Sequence, residues 1–334
     1  MALKEEHMED FEIIDVHVHL CRTKEEERNY FPLPGRRERD RWATPERMLE
    51  YMDRNNVAKT AFMILVPRQY REPLYEKAKL WELPEKQRRK EKERISQQIG
   101  PIMREMNEWG CSVGRRFPRL LPFIGMSDDL GGAEAMAEEL ALRASQGAKG
   151  VKMHPGQFSY YPDDEIFWPM YEKCQELGLP ILSDSGPWPH SHLVLMYPNP
   201  LGYKLPEEQQ DYAEPKNSAK VLESFPRLTL ILAHLGSAWW DERVELAQKY
   251  PNVYFDTSQG FSAPDQLPVV ARRSLAEEDV VRVCRKIGVD RIMFGTDLPG
   301  IPLQPQLEQI LRLPLTDQEK KMILAENAKR ILHL

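Results

Sequence analysis

Residues 13–20 read IIDVHVHL. Apolar β-branched residues alternate there with Asp15, His17 and His19, and a strand has a period of two, so the spacing predicts these three polar side chains on one face. Two neutral imidazoles two residues apart on a strand can both reach one divalent cation, with Asp15 behind them as a supporting or structural carboxylate. An HxH pair in a strand is also a common incidental feature. Its meaning therefore depends on what the rest of the chain brings to the same place.

Working outward, seven more β-rich runs follow: 60–66, 120–126, 149–154, 180–184, 228–234, 253–257 and 291–296. Between them lie stretches with helical periodicity, among them 44–55, 133–145, 165–177 and 239–250. Strands alternating with helices predict right-handed βαβ units and a parallel sheet. Eight such units in 334 residues fit one (β/α)₈ TIM-like barrel, with inserted loops at its carboxyl-end face, better than an open doubly wound sheet. No short repeat and no Gly/Ser linker divides the chain, so residues 1–334 are read as a single domain. Segments 21–41 and 67–92 are long for simple connections, and both follow strands. Residues 67–92 are expected to form a lid, although the run QRRKEKER (87–94) reads most simply as a solvated helix face. The connection 186–215 carries Trp188, His190, His192, Tyr197 and Tyr203 and is expected to wall a pocket.

In a closed barrel the carboxyl ends of the strands meet at one mouth. His154 ends GVKMHP, His234 ends LILAHLG and Asp297 ends RIMFGTD, each at the end of an expected strand. One histidine ending a strand is an ordinary rim residue, but several acceptor side chains at equivalent ends converge on a site. Imidazole and carboxylate donors without thiolate suit zinc, and also manganese or iron, with a coordination position left for water.

The composition narrows the partners. Lys and Arg number 46 against 52 Asp and Glu, giving a net charge of -6, so the chain has no general basic field for nucleic acid or an acidic membrane. At 41% hydrophobic and 29% charged residues it has ample material for a folded core. No apolar run approaches the roughly 20 residues that cross a bilayer, and the first residues lack an apolar signal core; the expectation is a cytoplasmic protein acting on a small molecule. Cys21, Cys111, Cys174 and Cys284 are scattered without CxxC spacing and are expected to be reduced thiols.

With IIDVHVHL, GAKGVKMHP, GLPILSDSG, LILAHLGSA, VYFDTS, RIMFGTDLP and AENAKRIL in this order over nearly the whole chain, the sequence resembles the amidohydrolase superfamily. The branch it resembles is the amidohydrolase-related one that includes aminocarboxymuconate semialdehyde decarboxylase-like proteins. The resemblance implies a single distorted (β/α)₈ barrel holding one divalent metal, usually zinc, and is compatible with a homodimer. It also implies His17 and His19 as metal ligands, Asp297 as the carboxylate beside the metal and its water, and His234 as the histidine that polarises substrate or moves a proton. One departure stands out: the family's metal-binding histidine at the end of strand 5 is Asp184 here, in LPILSDSG. Either Asp184 replaces that ligand or His154 does so from strand 4, with Asp184 outside it. His154, Trp188 and His190 are then placed toward substrate. Lys152 is a further candidate ligand in a carboxylated form, against a simpler reading as a buried, ion-paired wall lysine. The leading expectation is metal-dependent hydrolysis of a small amide, cyclic amide or lactone, with Asp297 taking a proton from water and His234 stabilising the oxyanion. The alternatives are non-oxidative decarboxylation at the same site, and a non-catalytic barrel that binds or assembles.

Overall fold

The computed structural model describes residues 11–30, 43–66, 68–158, 160–186, 212–236, 239–261, 276–300 and 302–334. Its centre is one parallel eight-stranded sheet in the order β1 (Ile13–His19), β2 (Val57–Met63), β3 (Leu120–Gly125), β4 (Gly150–Met153), β5 (Ile181–Ser183), β6 (Leu230–Leu232), β7 (Val253–Asp256) and β8 (Ile292–Met293). The first and last strands meet through Val16 N to Phe294 O at 2.9 Å, Asp297 N to His17 O at 2.7 Å and His19 N to Leu298 O at 2.7 Å, which brings the sheet round into a barrel. Helices fill the crossovers, as the alternation of patterns predicts. The helix Glu277–Ile287 shows why: Val280, Val281, Val283, Cys284 and Ile287 fall on one stripe and are buried.

Two packed layers follow from the strand alternation. Ile14, Val16, Ala61, Met63, Leu121, Phe123, Leu182, Ile231, Ala233 and Met293 form one buried cluster inside the barrel, and Ala325, Ala328, Ile331 and Leu332 of the last helical segment pack on it. The intervening residues, such as Phe62, Ile124, Val151, Leu232 and Phe294, join the larger core beneath the helices. Phe123 is accommodated because Gly150 faces it; a Cβ on Gly150 would lie 2.4 Å from the ring.

The first strand departs from strict alternation. Its pairing with β2 shifts register between Asp15 and Val18, so Val16 joins the inner cluster while Val18 joins the outer one. Asp15 therefore does not share a face with His17 and His19. It ties β1 to the end of β8, where Oδ1 accepts from Thr296 N at 3.1 Å and Oδ2 from Thr296 Oγ1 at 2.7 Å.

The segment expected as a lid is helical where described: Arg68–Ala78, a short turn at Leu80–Glu82 and the start of the 32-residue helix Glu85–Arg116. The basic run at 87–94 is mostly exposed on that long helix. All four cysteines are free and buried. Among the described residues no helix is long and apolar enough to cross a membrane.

Candidate active site

His17 and His19 end β1, and Asp297 stands just past β8. The imidazole Nε2 atom of His19 lies 3.0 Å from Asp297 Oδ1, and that of His17 lies 3.9 Å from the same oxygen. Ligand atoms of these three residues all lie within 4.8 Å of one another, as do those of His17, His234 and Asp256. Asp297 and His234 both hold left-handed backbone, with φ of 65° and 63°. For residues with a side chain that conformation costs on the order of 1 kcal/mol or more, and it persists where surrounding bonds enforce it. Here Asp297 N is fixed to His17 O, and His234 N donates to Asp256 Oδ1 at 3.0 Å.

Asp256, at the end of β7, is the hub. Its Oδ2 accepts from His17 Nδ1 at 2.9 Å, while Oδ1 accepts from His234 N, from Ser258 N at 2.9 Å and from the Ser258 hydroxyl. Burial raises the Asp256 carboxyl, but His17, His234 and Ser258 more than offset this and hold it at about 2. With its Nδ1 proton on Asp256, His17 presents the Nε2 lone pair, the tautomer a metal requires. Burial, aided by Lys152, lowers the His17 pKa to about 4, so the ring is neutral. Two Nε2 donors and a carboxylate oxygen, all in buried or nearly buried residues, thus fit a divalent cation. Lys152, fully buried on β4, places Nζ 3.2 Å from His17 Nε2, on that same lone pair.

The state of His234 follows from counting protons. The Ser258 hydroxyl has one hydrogen, which goes to Asp256, so toward His234 Nδ1, 2.8 Å away, it offers a lone pair. His234 Nε2 lies 2.8 Å from Asp184 Oδ2. Both ring nitrogens face acceptors, which favours the imidazolium. Burial lowers the His234 pKa, yet the Asp184 carboxylate outweighs burial and the net shift is upward. Asp184 itself is held well below the usual carboxylate range: burial raises it, but His154, His234 and Lys152 prevail.

Asp184 is shared between two histidines, since Oδ2 also lies 3.4 Å from His154 Nε2. His154 Nδ1 accepts from Gln157 N at 3.2 Å, which leaves the proton on Nε2, facing Asp184. Asp184 Oδ1 takes the Gly186 amide at 3.3 Å. The structure thus brings His17, His19 and Asp297 together, sets His234 beside them (5.2 Å between the His17 and His234 ring centres), and joins Asp184 and His154 through His234. Trp188 and His190 lie outside the described residues. Reading the sequence assigned no role to Asp256, Ser258 or Gln259, whose Nε2 donates to Asp297 Oδ2 at 3.0 Å. The strand-end rule that flagged His154, His234 and Asp297 also applies to Asp256 in VYFDTS.

A parallel eight-stranded barrel with imidazole and carboxylate donors gathered past its strand ends defines the class. The sequence profile of the Amidohydro_2 family, described as Amidohydrolase, matches residues 14–334, and the chain belongs to that family. No curated protein matches the sequence. Among solved structures, an uncharacterised TIM-barrel protein from Bordetella bronchiseptica is similar at 19% identity and a TM-score of 0.62, covering 96% of this chain and 98% of its own. A dihydroxybenzoic acid decarboxylase from Polaromonas sp. JS666, with bound manganese and the inhibitor 2-nitroresorcinol, is 16% identical with a TM-score of 0.66, covering 97% of each chain. The 5-carboxyvanillate decarboxylase from Sphingomonas paucimobilis is 16% identical with a TM-score of 0.62, covering 97% of this chain and 99% of its own.

These neighbours correct the hydrolytic expectation. Those whose reaction is named are decarboxylases, so amide or lactone opening is not upheld as the leading activity. The physical reason is that the motifs cover the strand-end imidazoles and carboxylates, whereas the bond to be broken is chosen by pocket walls that the motifs leave out. Manganese is bound in that Polaromonas neighbour, and two imidazoles and a carboxylate suit zinc and manganese alike.

Proposed function

We propose that this protein is a divalent-metal-dependent, non-oxidative decarboxylase of a small aromatic carboxylic acid. The observation that carries the reading is the placement of a proton-bearing His234 beside the His17, His19 and Asp297 donors. It is supported by neighbours of the same fold that decarboxylate hydroxylated benzoates. His17, His19 and Asp297 would hold the ion, and Asp184 Oδ1, carrying the Gly186 amide alone, has a lone pair to add while Oδ2 keeps His234. When bound, the cation supplies positive charge that orients the anionic substrate and draws electron density from the ring.

The residues of the chain divide the remaining work. His234 holds a proton on Nε2 against Asp184, ready for the substrate carbon. As the bond from that carbon to the carboxylate breaks, its electron pair stays on the carbon, carbon dioxide leaves, and the His234 proton completes the new C–H bond. Asp184, kept ionised, stabilises the imidazolium beforehand, and solvent returns the proton afterwards. Asp297 accepts from Gln259 and remains a carboxylate: burial raises its pKa, but His19, with His17 and His234, outweighs burial and lowers it. His154 steadies Asp184 from the side of β4.

The test is carbon dioxide release from a panel of hydroxylated benzoates by protein loaded with manganese, repeated with His234→Asn and Asp184→Asn. The reading expects release from at least one acid and its loss in His234→Asn at unchanged manganese content. It also expects Asp184→Asn to weaken manganese binding more than His154→Asn does. A panel without any release would sink it.

A further inference from the structure

Arg243, on the helix Trp240–Lys249 that follows β6, is 0% exposed, and its Nε and Nη1 have no hydrogen-bond partner. Burial lowers its pKa only to about 10, so the enclosed group remains a cation near neutrality. No carboxylate among the described residues pairs with it. A buried charge without an ion pair is a poor stabiliser, and a well-packed apolar side chain of similar volume would serve the core as well or better. All of its hydrogen bonding runs through one nitrogen. Nη2 donates to Ser185 O at 2.7 Å and to His234 O at 3.2 Å, with Ser185 Oγ at 3.2 Å and Ala233 O at 3.5 Å beside them.

Those carbonyls mark the place where two strands part. The last backbone rung between β5 and β6 is Ala233 N to Ser183 O at 2.9 Å. A parallel ladder would next bring Ser185 N to Ala233 O, but here the Ser185 hydroxyl donates to that oxygen, at 2.6 Å. Beyond it the Arg243 NH₂ group spans the gap, one planar nitrogen with two hydrogens for two carbonyls. The residues it ties are Ser185, next to Asp184, and His234 itself. On these two strand ends the Asp184 and His234 side chains meet at 2.8 Å. Arg243 also completes the restraint on the left-handed His234 backbone, since Asp256 Oδ1 takes the amide and Arg243 the carbonyl. Little slack is left there: a Cβ on Gly186 would lie 3.1 Å from His234 Cδ2, so the chain leaving β5 already rests against the ring.

We propose that Arg243 is a positioning residue for the Asp184 and His234 pair: by bridging the Ser185 and His234 carbonyls it sets the distance across which Asp184 holds the His234 proton. Its effect on turnover rests on the decarboxylase reading, whereas the distance does not. Misplacing a proton donor by about 1 Å costs on the order of 10²-fold in rate. The His17, His19 and Asp297 donors, on β1 and past β8, do not share these carbonyls.

The experiment compares the parent protein with Arg243→Met, Arg243→Lys and Ser185→Ala. In zinc-loaded protein carrying isotope-labelled histidine, imidazole N–H resonances are assigned with His234→Asn, which deletes those of His234. Arg243→Met is expected to shift or erase the His234 Nε2–H resonance and to leave that of His17 Nδ1–H in place. Arg243→Lys, shorter and without the planar fork, should do the same in part, and Ser185→Ala less. With manganese, kcat for Arg243→Met should fall about 30- to 100-fold while KM and the manganese Kd change by less than about fivefold. If Arg243→Met fails to fold, the lysine and Ser185 variants carry the same comparison. An unchanged His234 resonance in the folded variants overturns the proposal whatever the turnover. So does a His17 resonance lost together with it, or a loss of manganese affinity as large as the fall in kcat, each of which reduces Arg243 to general scaffolding. If no acid releases carbon dioxide but the His234 resonance alone depends on Arg243, the positioning stands and the reaction is removed.

Discussion

Replacing Asp256 by asparagine keeps the shape of the side chain and changes which atoms accept. The carboxylate serves His17 Nδ1 on one oxygen and His234 N, Ser258 N and the Ser258 hydroxyl on the other. The amide has one oxygen, and three donors on the Oδ1 side retain it there. Its NH₂ then faces His17 Nδ1, forces that nitrogen to accept, and moves the imidazole proton to Nε2. The lone pair aimed at the cation is lost, or recovered only by breaking the new bond. Replacing such an outer partner of a metal-binding histidine typically costs on the order of 10- to 100-fold in metal affinity, or about 1.4–2.7 kcal/mol. We expect a manganese Kd raised by that factor for Asp256→Asn, measured by competition with a fluorescent chelator, with a metal-free melting temperature showing that the fold persists. A Kd within threefold of the parent protein in a folded variant would refute the tautomer argument.

Three further outcomes are expected. In metal-free protein the folded His17 pKa of about 4 lies below its ordinary value of 6.5, so the unfolded chain takes up the proton first as pH falls. The His17 contribution, about 3 kcal/mol, is therefore full above pH 6.5 and is lost progressively toward pH 4. Urea unfolding in the presence of chelator should show His17→Gln losing less stability than the parent across that window, and parallel slopes would count against it. His234→Asn should keep near-normal manganese while turnover falls on the order of 10²- to 10⁴-fold; loss of the metal would instead make His234 a ligand. Gly236→Ala would place a Cβ 1.7 Å from Gly260 O and 2.7 Å from Phe261 Cα, backbone atoms that cannot swing aside. A destabilisation of about 3 kcal/mol or more is expected by denaturant unfolding, and a near-neutral result would show that the two loops can separate.

The strand order and the residues at the strand ends were legible because both obey short-range rules. A β-rich run ending in His or Asp is visible in one window, and His154, His234 and Asp297 stand where that rule puts them. What escaped depends on distance along the chain or on backbone shape. Asp256 matters because His17, 239 positions away, donates to it. The register shift in β1 that separates Asp15 from the two histidines is set by pairing with β2, and IIDVHVHL carries no mark of it. Left-handed backbone at His234 and Asp297 is only faintly marked: His and Asp adopt it more often than most side chains do, but without a glycine at either position nothing requires it there. Nothing in RQYREPLYEKA marks Arg71 as buried; only the fold shows it enclosed by Phe158 and Tyr75.

The filled barrel interior has a bearing on molecular traffic. Below His17 the lumen is solid with Ile14, Val16, Met63, Phe123 and Ile231, and Ala325, Ala328, Ile331 and Leu332 cork its far end. The scaffold is a cup and not a tube. Whatever enters from the strand-end side must leave by the same opening, so under the proposed reaction the gas and the arene share one exit. A product still lodged at that opening would stand in the way of the next substrate, which makes product inhibition competitive.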